Sequence, residues 1–369
     1  KLRASYGAVG NSAIDPYQTI AGLSKYDYLF GEDAGNKFFA YRPSMIPNKD
    51  LGWEISRTAN FGVDFGLWNN RISGYIEGYI TKTSDLLMER TLPFFTGFSK
   101  VWQNIGKTEN KGIELNIQAN TLKTKSFSWE TTVTFARNWN KITELLGGGD
   151  IRNNSWFIGK PLQVHYNYEM IGVWQLGEEK EAQKYGAIPG DIKVKDQNND
   201  GSIGELDKVI LGQKDPKIIA SLLNSFRFGA FDASINLNMN FGSLIHPNTY
   251  ASLITRDGLR WMPSNFKYWT PDNPTNEYTR ADKLSGYDPF AGTGGYMKGD
   301  YIKIQDITLG YDFSKIMPKN WKILRARLYA QVRNLGYIYK ACKNDVSPEA
   351  PDFDYNIPTT YTMGINIDF

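Results

Sequence analysis

The sequence is poor in the residues on which enzymes and small secreted domains most depend. One cysteine, Cys342, is present in 369 residues, which rules out an intrachain disulfide and a cage of thiolates around zinc. His165 and His246 are the whole imidazole supply, and neither has a flanking motif of the G-x-S-x-G kind that would place it in a catalytic triad. Charge of one sign is lacking too. A net charge of +3, a pI near 8.6 and no Lys/Arg run leave no electrostatic footprint for nucleic acid. No run of about 18 apolar residues exists to form a membrane helix, and the opening KLRASYGAVG has neither the apolar core nor the cleavage site of a signal peptide. These last absences leave a cytoplasmic protein or a mature or internal segment, and they exclude helical membrane proteins only. A barrel strand needs apolar residues at every second position, so mean hydropathy stays low, here −0.45.

What is abundant is aromatic and glycine. With 22 Tyr, 20 Phe, 10 Trp and 35 Gly, the composition suits barrel strands with aromatic girdles, and large extracellular β domains and glycan binders share it. The clearest stretch is NFGVDFGLWNNRISGYIEGYI, residues 60–80. Phe61, Val63, Phe65 and Leu67 alternate with Asn60, Gly62, Asp64 and Gly66; then Ile72, Ile76 and Ile80 alternate with Ser73, Tyr75, Glu77 and Tyr79. Period two on both sides of Asn69-Asn70, residues that tolerate positive φ, predicts a long antiparallel hairpin with one apolar face. The same alternation predicts strands over 2–10, 57–68, 71–83, 110–121, 126–140, 218–228, 231–241, 301–313, 324–334 and 360–369. In FDASINLNMNF, one face is wholly Asp, Ser and Asn. Such a face is hard to satisfy in a dry core and easy to satisfy in a water-filled lumen.

The connections alternate strictly between long and short. Short ones lie at 69–70, around 123–125, at 229–230 and at 314–323; long ones cover 11–56, 84–109, 141–217, 242–300 and 335–359. Short turns on one rim and long loops on the other are the asymmetry of an outer-membrane barrel. By that parity the short turns are periplasmic, the long loops extracellular, and the last strand, YTMGINIDF, brings Phe369 to the periplasm. Its aromatic end resembles the C-terminal signal read by barrel-assembly machinery. Ten strands would leave an open edge in lipid unless more chain closes the cylinder.

DQNNDGSIGELD, residues 196–207, has the ligand spacing of an EF-hand loop. Asp196, Asn198 and Asp200 stand at positions one, three and five, Gly201 at the sharp turn, Ser202 at seven, and Asp207 at twelve in place of the usual Glu, one methylene shorter. The expectation is a Ca2+ site that stiffens the excursion 141–217; the bland alternative is an Asn/Asp/Gly-rich turn. The glycine clusters 147–149 and 292–295 read as flexible loop, lacking the Lys-Ser/Thr of a phosphate loop. Asp64, Glu77 and Glu114 sit on polar strand faces and are expected to line water. Trp102, Trp156, Trp174, Trp261, Tyr268 and Trp269 are candidates for stacking on sugars or a partner, with loop packing the commoner role.

Several stretches resemble one family. They are LLMERTLPFFTGFSKVWQNIGKTENKGIEL (86–115), PGDIKVKDQNNDGSI (189–203), KYWTPDNPTNEYTR (267–280), GDYIKIQDITLGYDF (299–313) and the closing PTTYTMGINIDF. In this order they are similar to the C-terminal barrel half of SusC/RagA-type TonB-dependent transporters. The resemblance implies an all-β, antiparallel transmembrane β-barrel of 22 strands around a plug, of which residues 1–369 supply about ten C-terminal strands. It further implies a Gram-negative outer-membrane location and a SusD-like surface lipoprotein as partner. Energy would come from TonB through an absent N-terminal region, and the cargo would be an oligosaccharide or peptide. The plug and first barrel half are absent from the sequence, no organic cofactor is expected, and no catalytic residue is assigned. The rival class is a secreted, calcium-stabilised β-rich binding or adhesion module; a barrel enzyme built near His165 or His246 is a third.

Overall fold

The computed structural model describes residues 1–12, 19–20, 22–29, 37–43, 45–255, 266–280, 290, 292–314, 316–318, 323–343, 346–352 and 357–368. Ten strands make one sheet: β1 (Leu2–Asn11), β2 (Glu54–Leu67), β3 (Ile72–Ser84), β4 (Gly106–Lys123), β5 (Phe127–Leu145), β6 (Ile218–Phe228), β7 (Phe231–Phe241), β8 (Tyr301–Asp312), β9 (Arg325–Lys340) and β10 (Thr360–Asp368). Sheet order equals chain order, an up-and-down meander. All ten coincide with the strands expected from alternation. Turn chemistry is as read, with one addition: Trp68, Asn69 and Asn70 all take positive φ (52°, 56° and 61°), so the turn is longer than the Asn pair. Gly229, φ 60°, closes the β6–β7 turn.

The differences lie at the loop-side ends. β4 begins before residue 110, and β5 and β9 run past 140 and 334. The β4 extension, Gly106–Glu109, is polar, while those of β5 (Ile142, Leu145) and β9 (Leu335, Tyr337, Ile338, Tyr339) carry apolar residues without a sustained alternation, so no period marks them; Lys107 pairs with Glu144 across the added β4–β5 stretch at 2.6 Å. The long connections are also less irregular than expected. The stretch 84–109 holds a hairpin of Leu87–Thr91 with Lys100–Asn104. The stretch 141–217 pairs Val164–Tyr168 with Lys208–Gln213 and Met170–Val173 with Ile192–Val194, and carries helix α1 (Glu179–Lys184). The stretch 242–300 holds a short Leu244–Ile245 pairing with Met297–Lys298 and helix α2 (Asn248–Thr255). Among the described residues no helix is long and apolar enough to cross a membrane.

Contacts divide the chain into one unit of residues 1–64, 76–113 and 138–162 and a second of 65–75, 114–137 and 163–369. Within each, the buried apolar residues belong mostly to the long connections and the strand ends beside them. The first unit buries Val101, Ile105, Ile142, Leu145 and Phe157; the second buries Val164, Val173, Trp174 and Ile192, and a cluster of Tyr250, Cys342 and Val346. The apolar rows of the sheet are instead bare: Phe61 is 56 % exposed, Phe231 60 %, Leu309 59 % and Met363 77 %. A sandwich would cover such rows with a second layer, and here the described residues supply none.

Candidate functional site: the polar sheet face and the long loops

The face opposite those bare rows carries many polar side chains that bond to one another within each unit. In the first unit the Arg3 guanidinium donates to both Asp64 oxygens at 3.0 Å and reaches Glu77 at 3.1 Å, and the Asn60 amide also meets Glu77. Ser56 meets Thr83 at 2.8 Å, Thr58 meets Thr81 at 2.9 Å, and the Tyr79 hydroxyl donates to Asn138 at 2.6 Å. In the second unit Arg327 pairs with Asp232 at 2.5 Å, Asn236 donates to Asp306 at 3.1 Å, and Asn240 donates to the Tyr301 hydroxyl at 2.8 Å. A cleft of about 490 Å³ opens there, lined by Glu130, Arg227, Asp232, Arg325, Arg327 and Asn366. Period-two alternation is what gathers these groups, since every second residue of each strand lands on this side.

One contact ties a loop to the wall. Lys303, its side chain only 4 % exposed, donates to Glu349 at 2.7 Å, and the Tyr337 hydroxyl donates to the same carboxylate at 2.7 Å. A buried ammonium needs such a partner, because unpaired it would lose its hydration without return. Nothing in the sequence flags Glu349, which comes from a distant loop.

The loops of the second unit also form a cavity of about 570 Å³, lined by Met170, Tyr250, Asn276, Glu277, Tyr296 and Lys343 among others. Tyr250 donates to Glu277 at 3.2 Å, and burial pushes its hydroxyl pKa up, so it remains a donor. Asn276 reaches the backbone N–H of Val173 and the side chain of Gln175. These residues come from three separate connections, so no local spacing announces the cavity.

The 196–207 loop is built by its own side chains. Gly201 donates its N–H to Asp196 Oδ2 at 2.9 Å, the curl that an EF-hand turn makes around its first ligand. Asp196 Oδ1 is buried with no partner. Asp200 accepts from the Ser202 N–H and hydroxyl, each at 2.8 Å, and from the Asn198 amide at 2.8 Å; these bonds hold its carboxyl below the usual range. Asp207, 1 % exposed, spends both oxygens on backbone, accepting from the Gln197 N–H at 2.8 Å and the Gly204 N–H at 2.7 Å. Position twelve therefore braces the loop, because the shorter Asp reaches the nearby N–H groups. Among the described residues no three His, Cys, Asp or Glu side chains converge closely enough to hold a metal by themselves.

The two histidines, 81 residues apart in the sequence, meet. Their ring centroids lie 6.3 Å apart, with Tyr296 5.2 Å from His165 and 4.1 Å from His246. Each Nε2 lies on a backbone carbonyl, Leu244 O at 2.9 Å and Gly294 O at 3.0 Å, so Nε2 carries the proton in each ring. Burial pulls His165 down to about 4 and lowers His246, keeping both neutral. The trio packs two of the long connections, 141–217 and 242–300, together. The tryptophans do likewise: Trp174 and Trp269 are buried, and Trp269 donates to Gln175 at 2.8 Å while Lys193 lies 4.2 Å over the Trp174 ring. Tyr268 is buried, Trp102 and Trp156 are half-buried, and Trp261 and Phe369 lie outside the described residues.

Comparison with known proteins gives one direction. A family model described as TonB dependent receptor-like, beta-barrel, matches residues 1–335. The chain is 28% identical over 406 residues to TonB-dependent receptor P26 of Formosa agariphila, covering 100% of this chain and 40% of that protein. It is 28% identical over 393 residues to TonB-dependent receptor SusC of Bacteroides thetaiotaomicron, covering 100% and 37%. Among solved structures, that of the RagAB peptide transporter matches with a TM-score of 0.76 at 23% identity, over 100% of this chain and 40% of the other, a likeness of fold. The chain thus spans about two fifths of the length of these proteins.

Proposed function

The chain belongs to the TonB dependent receptor-like β-barrel family, and from that premise we propose that it forms part of the wall of an outer-membrane importer of the SusC/RagA type. The observation that carries this reading is the two-sided sheet: ten antiparallel strands with a bare apolar face and a polar one rich in side-chain hydrogen bonds. In lipid the bare face needs no protein cover, and in a water-filled lumen the polar face needs no dry partners. On this reading the short turns are periplasmic, and the long connections, including 141–217, are extracellular. β1 and β10 stand at the edges of the sheet order. Further strands from polypeptide outside this chain would close those edges, and a plug and TonB-contacting segment would come from the same source.

The cargo is a nutrient too large for porins, an oligosaccharide or a peptide, delivered by a SusD-like surface lipoprotein. RagAB is a peptide transporter by its description, which supports the peptide arm. The loop cavity at Tyr250, Asn276 and Glu277 offers donors and acceptors to either class. The test is uptake of labelled oligosaccharides and peptides by cells with and without the protein, and with and without TonB, alongside membrane fractionation. Recovery in the soluble fraction, or uptake of every cargo undiminished by deletion, refutes the proposal.

For residues 196–207 the orphaned Asp196 Oδ1 supports a calcium ion held by Asp196, Asn198, Asp200 and the Ser202 carbonyl. Such an ion supplies charge to stiffen the loop and takes no part in chemistry. Terbium luminescence titrated with Ca2+ tests this: Asp196→Asn should abolish the signal, and wild-type protein without a saturable signal removes the site.

A further inference from the structure

On the apolar side of the sheet, the ends of β2 to β5 nearest the long loops carry a row of cations. Ser56–Thr83 and Thr58–Thr81 pair on the polar face, so alternation turns Arg57 and Lys82 to the other side, beside the row of Ala59, Phe61 and Ile80. Lys111 and Lys141 join them there, sharing Glu109 at 3.1 Å and 3.2 Å. Arg57 and Lys82 have no carboxylate partner among the described residues; Arg57 reaches only the Ser84 hydroxyl at 3.5 Å. Four cations against one carboxylate leave this row strongly positive.

Directly beneath it is an apolar groove of about 600 Å³, lined by Phe61, Gly78, Ile80, Lys111, Ile113 and Trp139. Gly78 forms its floor: a side chain there would find only the Gly112 carbonyl, at 3.8 Å. The height of the row is set by β2. Arg57 stands ten residues before Leu67, the end of the strand at the Asn69-Asn70 turn. At about 3.4 Å per residue and a tilt of about 40°, that is roughly 26 Å across the membrane, which is the outer edge of an apolar band about 25 Å tall. An apolar slot topped by a row of four cations that share one carboxylate, at head-group level, matches one kind of molecule.

We propose that this groove binds an acyl lipid of the outer leaflet that bears a phosphate on its head group, with a chain over Gly78 between Phe61 and Trp139 and the phosphate on Arg57, Lys82, Lys111 and Lys141. Simple snorkelling of lysines to the interface would use the same cations without a groove and without preference among lipids. The inference rests on the outer-membrane reading above.

The experiment is native mass spectrometry of the protein purified from outer membranes, with a phosphorylated acylated glucosamine disaccharide, its dephosphorylated form and inorganic phosphate as probes. Binding of the phosphorylated lipid, about 30-fold weaker in Arg57→Gln/Lys82→Gln, is expected from about 1 kcal/mol for each lost charge. Gly78→Leu should weaken it as well, while Lys100→Gln, in the loop hairpin, should not. Equal retention of the dephosphorylated lipid, displacement by millimolar inorganic phosphate, or indifference to Arg57→Gln/Lys82→Gln and Gly78→Leu overturns the proposal. Heat-modifiable migration verifies that each variant is folded. A protein missing from the membrane fraction would defeat the outer-membrane reading itself, whereas a membrane-inserted protein without this preference defeats only the lipid site.

Discussion

Val63→Arg puts the two-faced sheet to its hardest test. Val63 lies on β2 opposite Leu2 of β1, in the row with Phe61, Phe65 and Leu67. It stands four residues before the end of β2, so at about 3.4 Å per residue and a tilt of about 40° it is roughly 10 Å above the turn-side edge, close to the middle of an apolar band about 25 Å tall. A cation there costs about 2–4 kcal/mol, or about a 30- to 700-fold loss in the folded-to-unfolded ratio. Its neighbour Asp64 points the other way, to Arg3, which keeps Glu77 at 3.1 Å if Asp64 is replaced. Asp64→Asn should therefore change little, since both groups of that pair remain substantially exposed to water. The assay is urea titration in lipid vesicles, following the heat-modifiable folded band on gels, with wild type, Val63→Arg and Asp64→Asn side by side. Equal tolerance of the two variants, or a larger loss for Asp64→Asn, would show that the faces have been assigned the wrong way round.

Other expectations follow from particular contacts. Glu349→Ala strands the buried Lys303 ammonium and should cost about 3 kcal/mol, read as a lower melting temperature and faster protease nicking near residue 346; adding Lys303→Met should restore part of the loss. Gly364→Val should displace the Tyr329 ring, which lies 2.6 Å from where a Cβ would stand on the paired strand, at about 1–3 kcal/mol. Gly7→Ala, with open space around it, should be neutral in the same melt. The histidine pair gives a pH dependence with a definite sign. Because burial pulls folded His165 from 6.5 to about 4, the unfolded chain takes up its proton first as pH falls. Stability tied to the neutral ring is full above about pH 6.5 and is lost on the way down to 4. Loop proteolysis rates at pH 7.5, 5.5 and 4.5 should rise in wild type and rise less steeply in His165→Gln.

Where strands cross the apolar band, the alternation of Phe61 to Leu67 or Phe231 to Phe241 is legible because one face is uniformly apolar, and every strand read that way is present. Beyond the band the signal fades. Residues 106–109 of β4 extend the strand with no apolar residue in step, and the hairpins inside 84–109 and 141–217 are too short for periodicity to mark. The 196–207 loop was legible as a ligand-like spacing, yet only the folded loop gave Asp207 to the Gln197 and Gly204 N–H groups. The aromatic loop candidates show the same limit. Sequence offers Trp174 and Trp269 as platforms or packing alike, and burial decides for packing.

The sequence by itself determined the strands, their faces and the order of long and short connections, because period two and turn chemistry act between neighbours along the chain. Tertiary structure alone decided that Lys303 meets Glu349 and that His165 meets His246. It also decided that Phe61, Ile80, Lys111 and Trp139 line one groove floored by Gly78. Each of those pairings joins residues from separate strands or loops, and their proximity is set by register and loop closure, for which no local pattern of residues is a sign.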